Sequence, residues 1–135
     1  MSFMTLDNIA DMTTTSQDKS SWQSKVDMLL DVLIASAQTI TYDEMATQAD
    51  IPAPHRIHQL TSYLETLIDD DGAHQRPIRA SVVVSKVRLI PAPGFFDALR
   101  PYIEPQNHLD EPSLHQNLLR TLNPDYQSAT LFNQE

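Results

Sequence analysis

One short stretch of the chain concentrates side chains able to read a nucleic-acid duplex. His55 and its neighbour Arg56 precede Gln59 by four and three positions, and Ser62 follows Gln59 by three. On a helix, that spacing puts them on one side. Arg and Gln have the geometry to bond guanine and adenine edges in a major groove. Further along, Arg79, Lys86 and Arg88 are cations with the reach to hold phosphate oxygens. Residues 72–96 contain Arg76, Arg79, Lys86 and Arg88 and no acid, and six of the nine basic residues fall within 52–100. A plainer reading stays open beside this one: the same residues could be a solvated helix face next to a hydrophobic strand.

Other chemistries find less support. His55 and His58 are three apart, while His74, His108 and His115 are scattered, and no spacing forms a ligand motif. No metal and no cofactor are expected. With no cysteine, disulfides, thiolate catalysis and cysteine-held zinc are excluded. Asp69-Asp70-Asp71 reads as a solvated acidic turn before it reads as a cation site. Gly72 and Gly94 are the two glycines, too few for a phosphate cradle. Neither Ser81 nor the Ser85-Lys86 pair has an assigned base, so no catalytic residue is expected and the chain does not read as an enzyme.

The formal charge of −9 on 135 residues opposes a duplex polyanion. The balance is uneven, since residues 1–51 hold eight acids against Lys19 and Lys25. Two partner classes therefore stay in view: double-stranded DNA met by the locally basic stretch, or a protein. Hydrophobic residues make up 41%, enough for a core. No apolar run approaches the roughly 20 residues of a bilayer span, so no membrane is expected, and the polar, acidic start lacks a secretory pattern. Cytoplasm is the expected compartment.

Helices must position these groups. Residues 1–20 read as a flexible N-terminal tail. Ser20 or Ser21 can cap a first helix carrying Trp22, Val26, Leu29, Leu30, Leu33, Ile34 and Ala37 and ending near Gln38. Thr41-Tyr42-Asp43-Glu44 matches a capping box, with Ile40 and Met45 as its hydrophobic staple, so a short helix should run from Tyr42 to about Ala49. Pro52 stops it. Pro54 suits the first turn of a third helix with Ile57, Leu60, Leu64, Leu67 and Ile68 inward, fraying near Asp69–Gly72. From Ile78 the alternation of Ile78, Ala80, Val82 and Val84 with Arg79, Ser81, Val83 and Ser85 predicts a strand, and residues 86–90 the turn and return of a hairpin. Phe95, Phe96 and Leu99 mark a short helix whose aromatic pair reads as core, or else as a knob for a partner. Residues 104–112 read as a loop, 113–122 as a last helix with Leu114, Leu118, Leu119 and Leu122, and 123–135 as a tail.

Three helices followed by a β-hairpin give a mainly α fold with a small hairpin, an α+β winged helix-turn-helix with additional C-terminal helices. The winged-helix domain would span 21–103, with 104–135 as loop, short helix and tail. In such a fold the third helix enters the major groove, and Arg79, Lys86 and Arg88 lie on or near the wing.

The segment Thr41-Tyr42-Asp43-Glu44-Met45-Ala46, the Pro-containing turn after it and Arg56 in the next helix resemble the DNA-binding half of the methylguanine-DNA methyltransferase and alkyltransferase-like family, over about residues 41–100. The resemblance implies that Arg56 takes the place of an arginine that intercalates in the duplex. The family's Pro-Cys-His-Arg segment leading into Val-Val corresponds to Arg76-Pro77-Ile78-Arg79-Ala80 before Ser81-Val82-Val83. Ile78 stands for the cysteine and Arg79 for the histidine, so the alkyl acceptor and its base are absent. The expectation is a non-catalytic DNA-binding protein, of bacterial-regulator type, acting by occupancy. A palindromic site would ask for a homodimer built on the first or last helix. The alternative is the same fold used as a protein–protein interaction module.

Overall fold

The structure is a computed structural model and describes residues 20–103, 109–126 and 130–131. The tail expected over 1–20 lies outside the described residues apart from Ser20. So do 104–108 of the expected loop, and 127–129 and 132–135 beyond the last helix.

Helix α1 is Ser21–Ala35. The Ser20 side chain accepts from the Gln23 N–H and the Gln23 side chain returns to the Ser20 N–H, a reciprocal cap that fixes the helix start. Val26, Leu30 and Leu33 are its fully buried stripe. The helix ends three residues short of the expected Gln38, and Ala37 turns the chain through a left-handed φ of 55°. Strand β1, Gln38–Thr41, follows with Thr39 and Ile40 buried, an element the sequence reading omitted. Thr41 then caps α2, Tyr42–Gln48, accepting from the Glu44 N–H at 3.1 Å. Glu44 turns its carboxylate to the Gln48 side chain, while Ile40 and Met45 are both buried, as a staple requires.

Pro52, Ala53 and Pro54 lie outside any helix, with a cis Ala53–Pro54 bond, and α3 runs Arg56–Ala73. Pro54 therefore precedes the helix and does not open it. Leu60, Tyr63, Leu64, Leu67 and Ile68 face the core, whereas Ile57 is 40% exposed and stands off the inward stripe. Edge-to-face packing of Trp22 on Tyr63, with ring centroids 5.7 Å apart, closes α1 onto α3. The acidic end of α3 does not fray early, for a reason given below.

The expected hairpin is not formed. After α3 comes a 3-10 turn, Arg79–Val82, then strand β2, Val83–Val84, paired parallel to β1 with Ile40 opposite Val83 and Thr41 opposite Val84. Strand β3, Thr130–Leu131, pairs parallel to β1 on its other edge, giving the order β2-β1-β3. Ala80, Ser81, Val82, Val83 and Val84 are all buried, with no exposed alternate. That continuous burial belongs to a covered parallel strand, whereas an alternating pattern would mark a half-solvated wing. Among the described residues the chain is thus a mainly helical small domain, of five α-helices, with a small parallel sheet.

Helix α4, Pro93–Leu99, buries Phe95, Phe96 and Leu99, with the two rings edge to face at 5.1 Å. Phe95 and Phe96 belong to the core and offer no knob to a partner. Arg100–Tyr102 continues as a 3-10 turn. Helix α5, Glu111–Leu122, is capped by Asp110 and carries Pro112 in its first turn. The expected tail after it is docked as far as Tyr126. That side chain is fully buried, and its hydroxyl lies 2.6 Å from the Gln38 carbonyl and 3.1 Å from that of Leu33. Asn123 donates to the Ile34 carbonyl at 2.7 Å, so the 123–126 segment clamps the α1–β1 joint. No helix among the described residues is long and apolar enough to cross a membrane.

Candidate functional site

Four of the residues singled out by type and spacing lie at the start of α3, from the residue before it to its second turn. His55 stands just before the helix in a left-handed conformation, φ 62°, and is exposed. Arg56 does not project outward. Its Nε donates to the Ile51 carbonyl at 2.8 Å and an Nη to the Ala46 carbonyl at 3.0 Å. The Ile51 carbonyl lies in the link after α2, and the Ala46 carbonyl, in the last turn of α2, also accepts from the Ile51 N–H at 3.1 Å. Gln59 does the same for the prolines, its Nε2 donating to Pro52 at 2.7 Å and Pro54 at 2.9 Å. Proline segments lack N–H groups, so side chains of α3 hold the α2–α3 link in shape. Ser62 is exposed and lines an open groove with Trp22, Gln23, His58, Gln59, Tyr63 and Thr66.

Arg79 lies at the opposite end of α3. A helix of this pitch carries Asp71 about 22 Å from Arg56, and Arg79 is fixed to Asp71. The buried Asp71 carboxylate accepts from the Arg79 backbone N–H at 3.1 Å, Arg79 Nε at 3.0 Å, an Arg79 Nη at 3.0 Å and Arg76 Nε at 3.2 Å. Burial pushes the Asp71 carboxyl up, but the hydrogen bonds and charge of Arg79, aided by Arg76, outweigh it and hold the group below the ordinary carboxylate range. The hydrogen bonds to Asp71, with the negative charges of Asp71, Asp27 and Asp70, in turn outweigh burial and raise the Arg79 guanidinium above its ordinary value. Asp70 pairs with Arg76, so two of the three consecutive acids meet cations. This pairing keeps α3 helical through its acidic end, and makes Asp69-Asp70-Asp71 an ion cluster in place of the expected solvated turn.

Lys86 and Arg88 occupy a third place, the 85–90 loop that replaces the wing. Its neck is closed by two backbone bonds, Ser85 N–H to the Ile90 carbonyl and Leu89 N–H to the Ser85 carbonyl, each 2.8 Å. The Ser85 hydroxyl accepts from the Val87 and Arg88 N–H groups at 3.3 Å. Leu89 takes a left-handed φ of 60°, an unfavourable state for a side chain of its size. The pinned loop displays Val87 at 89% exposure and Leu89 at 57%. Arg88 meets Glu111 at 2.9 Å, and Lys86 has no ion-pair partner among the described residues.

The structure therefore divides the seven expected contact residues among three places, and of their three guanidiniums two meet carboxylates and one meets backbone carbonyls. The sequence pattern places Val87 and Leu89 in a hairpin and does not reveal their display. The available signal was the alternation of Lys86, Val87, Arg88 and Leu89 with no glycine or asparagine to make a two-residue turn. Among the described residues no group of three or more His, Asp or Glu could hold a metal. A small cavity of about 40 Å³ beside Tyr42, Leu64, Ala80 and Phe95 has room for little more than a water. Comparison of the chain with models of protein families, with curated proteins and with solved structures found no match.

Proposed function

We propose that the chain is a non-catalytic protein-interaction module whose 85–90 loop enters a partner. The observation that carries this is the pair Val87 and Leu89, two apolar side chains held out in solvent on a backbone closed at its neck. Exposed apolar groups on a rigid support suit a packed protein contact, where their burial is favourable and little ordering cost remains. The charge of −9 and the internal pairing of Arg79 and Arg88 favour a protein over a phosphate backbone.

A second reading has its own observation. His55, His58 and Ser62 are exposed on the first turns of α3, and 72–96 is free of acids. In this reading α2 and α3 act as a helix-turn-helix, the 85–90 loop stands where a wing would, and duplex DNA is the partner. The resemblance to the alkyltransferase-like family belongs to this reading, with the buried Ile78 in place of a nucleophile.

One titration separates them. Wild-type protein is added to a fluorescent mixed-sequence duplex at low salt, alongside Lys86→Ala and His55→Ala. The interaction-module reading expects no binding up to roughly 10⁻⁴ M, the weak limit of nonspecific association. Binding that falls steeply with salt and weakens in either variant would overturn it in favour of DNA.

A further inference from the structure

The four most exposed large apolar side chains among the described residues, Val87, Met28, Leu89 and Val32, fall in two places with opposite charge around them. One is the 85–90 loop, where Val87 and Leu89 alternate with Lys86 and Arg88 within a stretch that has no acid. The other is a groove along α1, lined by Lys25, Met28, Leu29 and Val32 together with Gln48 of α2, with a volume near 240 Å³. Met28 is 67% and Val32 56% exposed there. These positions follow helical steps of three and four, so they form one apolar stripe on the outer side of α1. The polar residues at its edge are held by acids: Lys25 Nζ lies 2.7 Å from Asp50, and Gln48 donates to Glu44 at 2.7 Å. Asp31 is one helical step from Met28 on the same helix. Three carboxylates against one ammonium surround the groove, whereas at the loop tip Arg88 is paired with Glu111 and Lys86, which has no ion pair among the described residues, leaves one net positive charge.

We infer that the loop tip of one copy seats in the α1 groove of a second copy. This rests on the loop-docking reading above and names the occupant. Both surfaces are apolar at the centre and charged at the rim with opposite sign, the arrangement that favours the correct pairing and opposes a pairing of like surfaces. Loop against loop would bring cations together, and groove against groove would bring carboxylates together, so a symmetric pairing through either surface alone is disfavoured. The contact is heterologous, each copy offering a knob and a socket, and successive copies extend into an open chain or close into a ring. The loop does not fill its own groove, because Val87 is almost wholly exposed.

The test is the mass distribution of the full chain by light scattering and sedimentation over rising concentration, for wild type, Val87→Asn and Met28→Lys. Both positions are surface sites, and unchanged urea midpoints would confirm that the variants fold. Wild type is expected to grow in average mass with concentration and to dissociate as salt is raised. Each variant alone is expected to lose association by at least about tenfold, the effect of removing one buried apolar side chain. An equal mixture should recover a one-to-one dimer and nothing larger, because Met28→Lys still offers a loop and Val87→Asn still offers a groove. A wild type that stays monomeric to about 1 mM, near the weak end of measurable affinity, overturns the inference. If that monomer also ignores duplex DNA, the interaction-module reading survives; if it binds duplex with steep salt dependence, both fall. Variants that associate like wild type, or a mixture that gives no dimer, likewise overturn the knob-and-groove contact.

Discussion

Arg79 is where two accounts of this chain predict opposite results, because a surface cation for phosphate and a buried clamp respond differently to removal. Consider Arg79→Met and Asp71→Asn. The first leaves the Asp71 carboxylate buried with one remaining hydrogen-bonded guanidinium, that of Arg76 at 3.2 Å. Breaking a buried pair by removing one partner costs about 3–5 kcal/mol, and the full burial of Asp71, set against the Arg76 bond that remains, puts this variant near the middle of that range, ~4 kcal/mol. The second leaves Arg79 with 29% of its side chain in solvent and Asp70 still 3.8 Å away, so its cost should be nearer ~2–3 kcal/mol. Against a typical total of about 5–15 kcal/mol, Arg79→Met should leave a marginal protein. Urea unfolding near pH 7 reads both as a lower midpoint at constant slope. The pH dependence adds a check of sign. Asp71 is held below its ordinary range in the folded chain, so its contribution is complete above the unfolded carboxyl value and is lost as pH falls through that value to the folded one. Asp71→Asn should flatten this acid limb. Costs within about 0.5 kcal/mol for both variants, as at ordinary surface sites, would refute the clamp and return Arg79 to solvent. So would a larger loss for Asp71→Asn than for Arg79→Met.

Three further results are expected. The Ser81 hydroxyl is fully buried with no hydrogen-bond partner among the described residues, so Ser81→Ala should raise stability by about 1 kcal/mol; a loss in urea unfolding would show an unseen partner. His115 is buried, and its Nε2 lies 2.8 Å from the Ser81 carbonyl, which requires the ring proton on that nitrogen. Burial lowers its pKa against the opposing effect of this bond, so the unfolded chain protonates first and stability should fall as pH drops below the ordinary imidazole range; His115→Asn should lose that slope in thermal scans from about pH 7.5 to 5, and an equal slope would sink the assignment. Tyr126→Phe removes the hydroxyl that serves the Gln38 and Leu33 carbonyls and should cost about 1–3 kcal/mol in urea unfolding, whereas an unchanged midpoint would mean that 123–126 is not a clamp.

The helices were legible because their signals are local. Thr41 and Glu44, Ser20 and Gln23, and the periodic apolar residues of α1, α3, α4 and α5 each act within a turn or two of themselves. The sheet was not, because its pairs join residues far apart in the chain: Ile40 meets Val83, and Thr39 meets Leu131. Alternation at 78–85 suggested a half-exposed strand, but whether its second face meets water depends on His115 and α5 arriving over Ser81, which no local pattern encodes. The candidate contact residues suffered similarly. Their types were right for phosphate and bases, yet Ile51 and Ala46 claimed Arg56, Asp71 claimed Arg79 and Glu111 claimed Arg88, and these partners lie outside the elements that carry the arginines. A cation's availability follows from which acids the fold brings to it.

The central position of β1 also constrains the order in which the chain can be completed. Both of its neighbours run parallel to it, so each must come from a distant part of the sequence by a crossover. Forming them requires closing one loop of more than 40 residues and another of more than 90, given the registers Ile40↔Val83 and Thr39↔Leu131. Such closures have a high entropic cost before any contact compensates it, which slows folding relative to a bundle of the same helices. During synthesis, one edge of β1 and the carbonyls that Tyr126 later covers stay open until the 123–131 segment has left the ribosome. A nascent chain halted before that point would present an unpaired strand edge, the kind of surface on which other chains add.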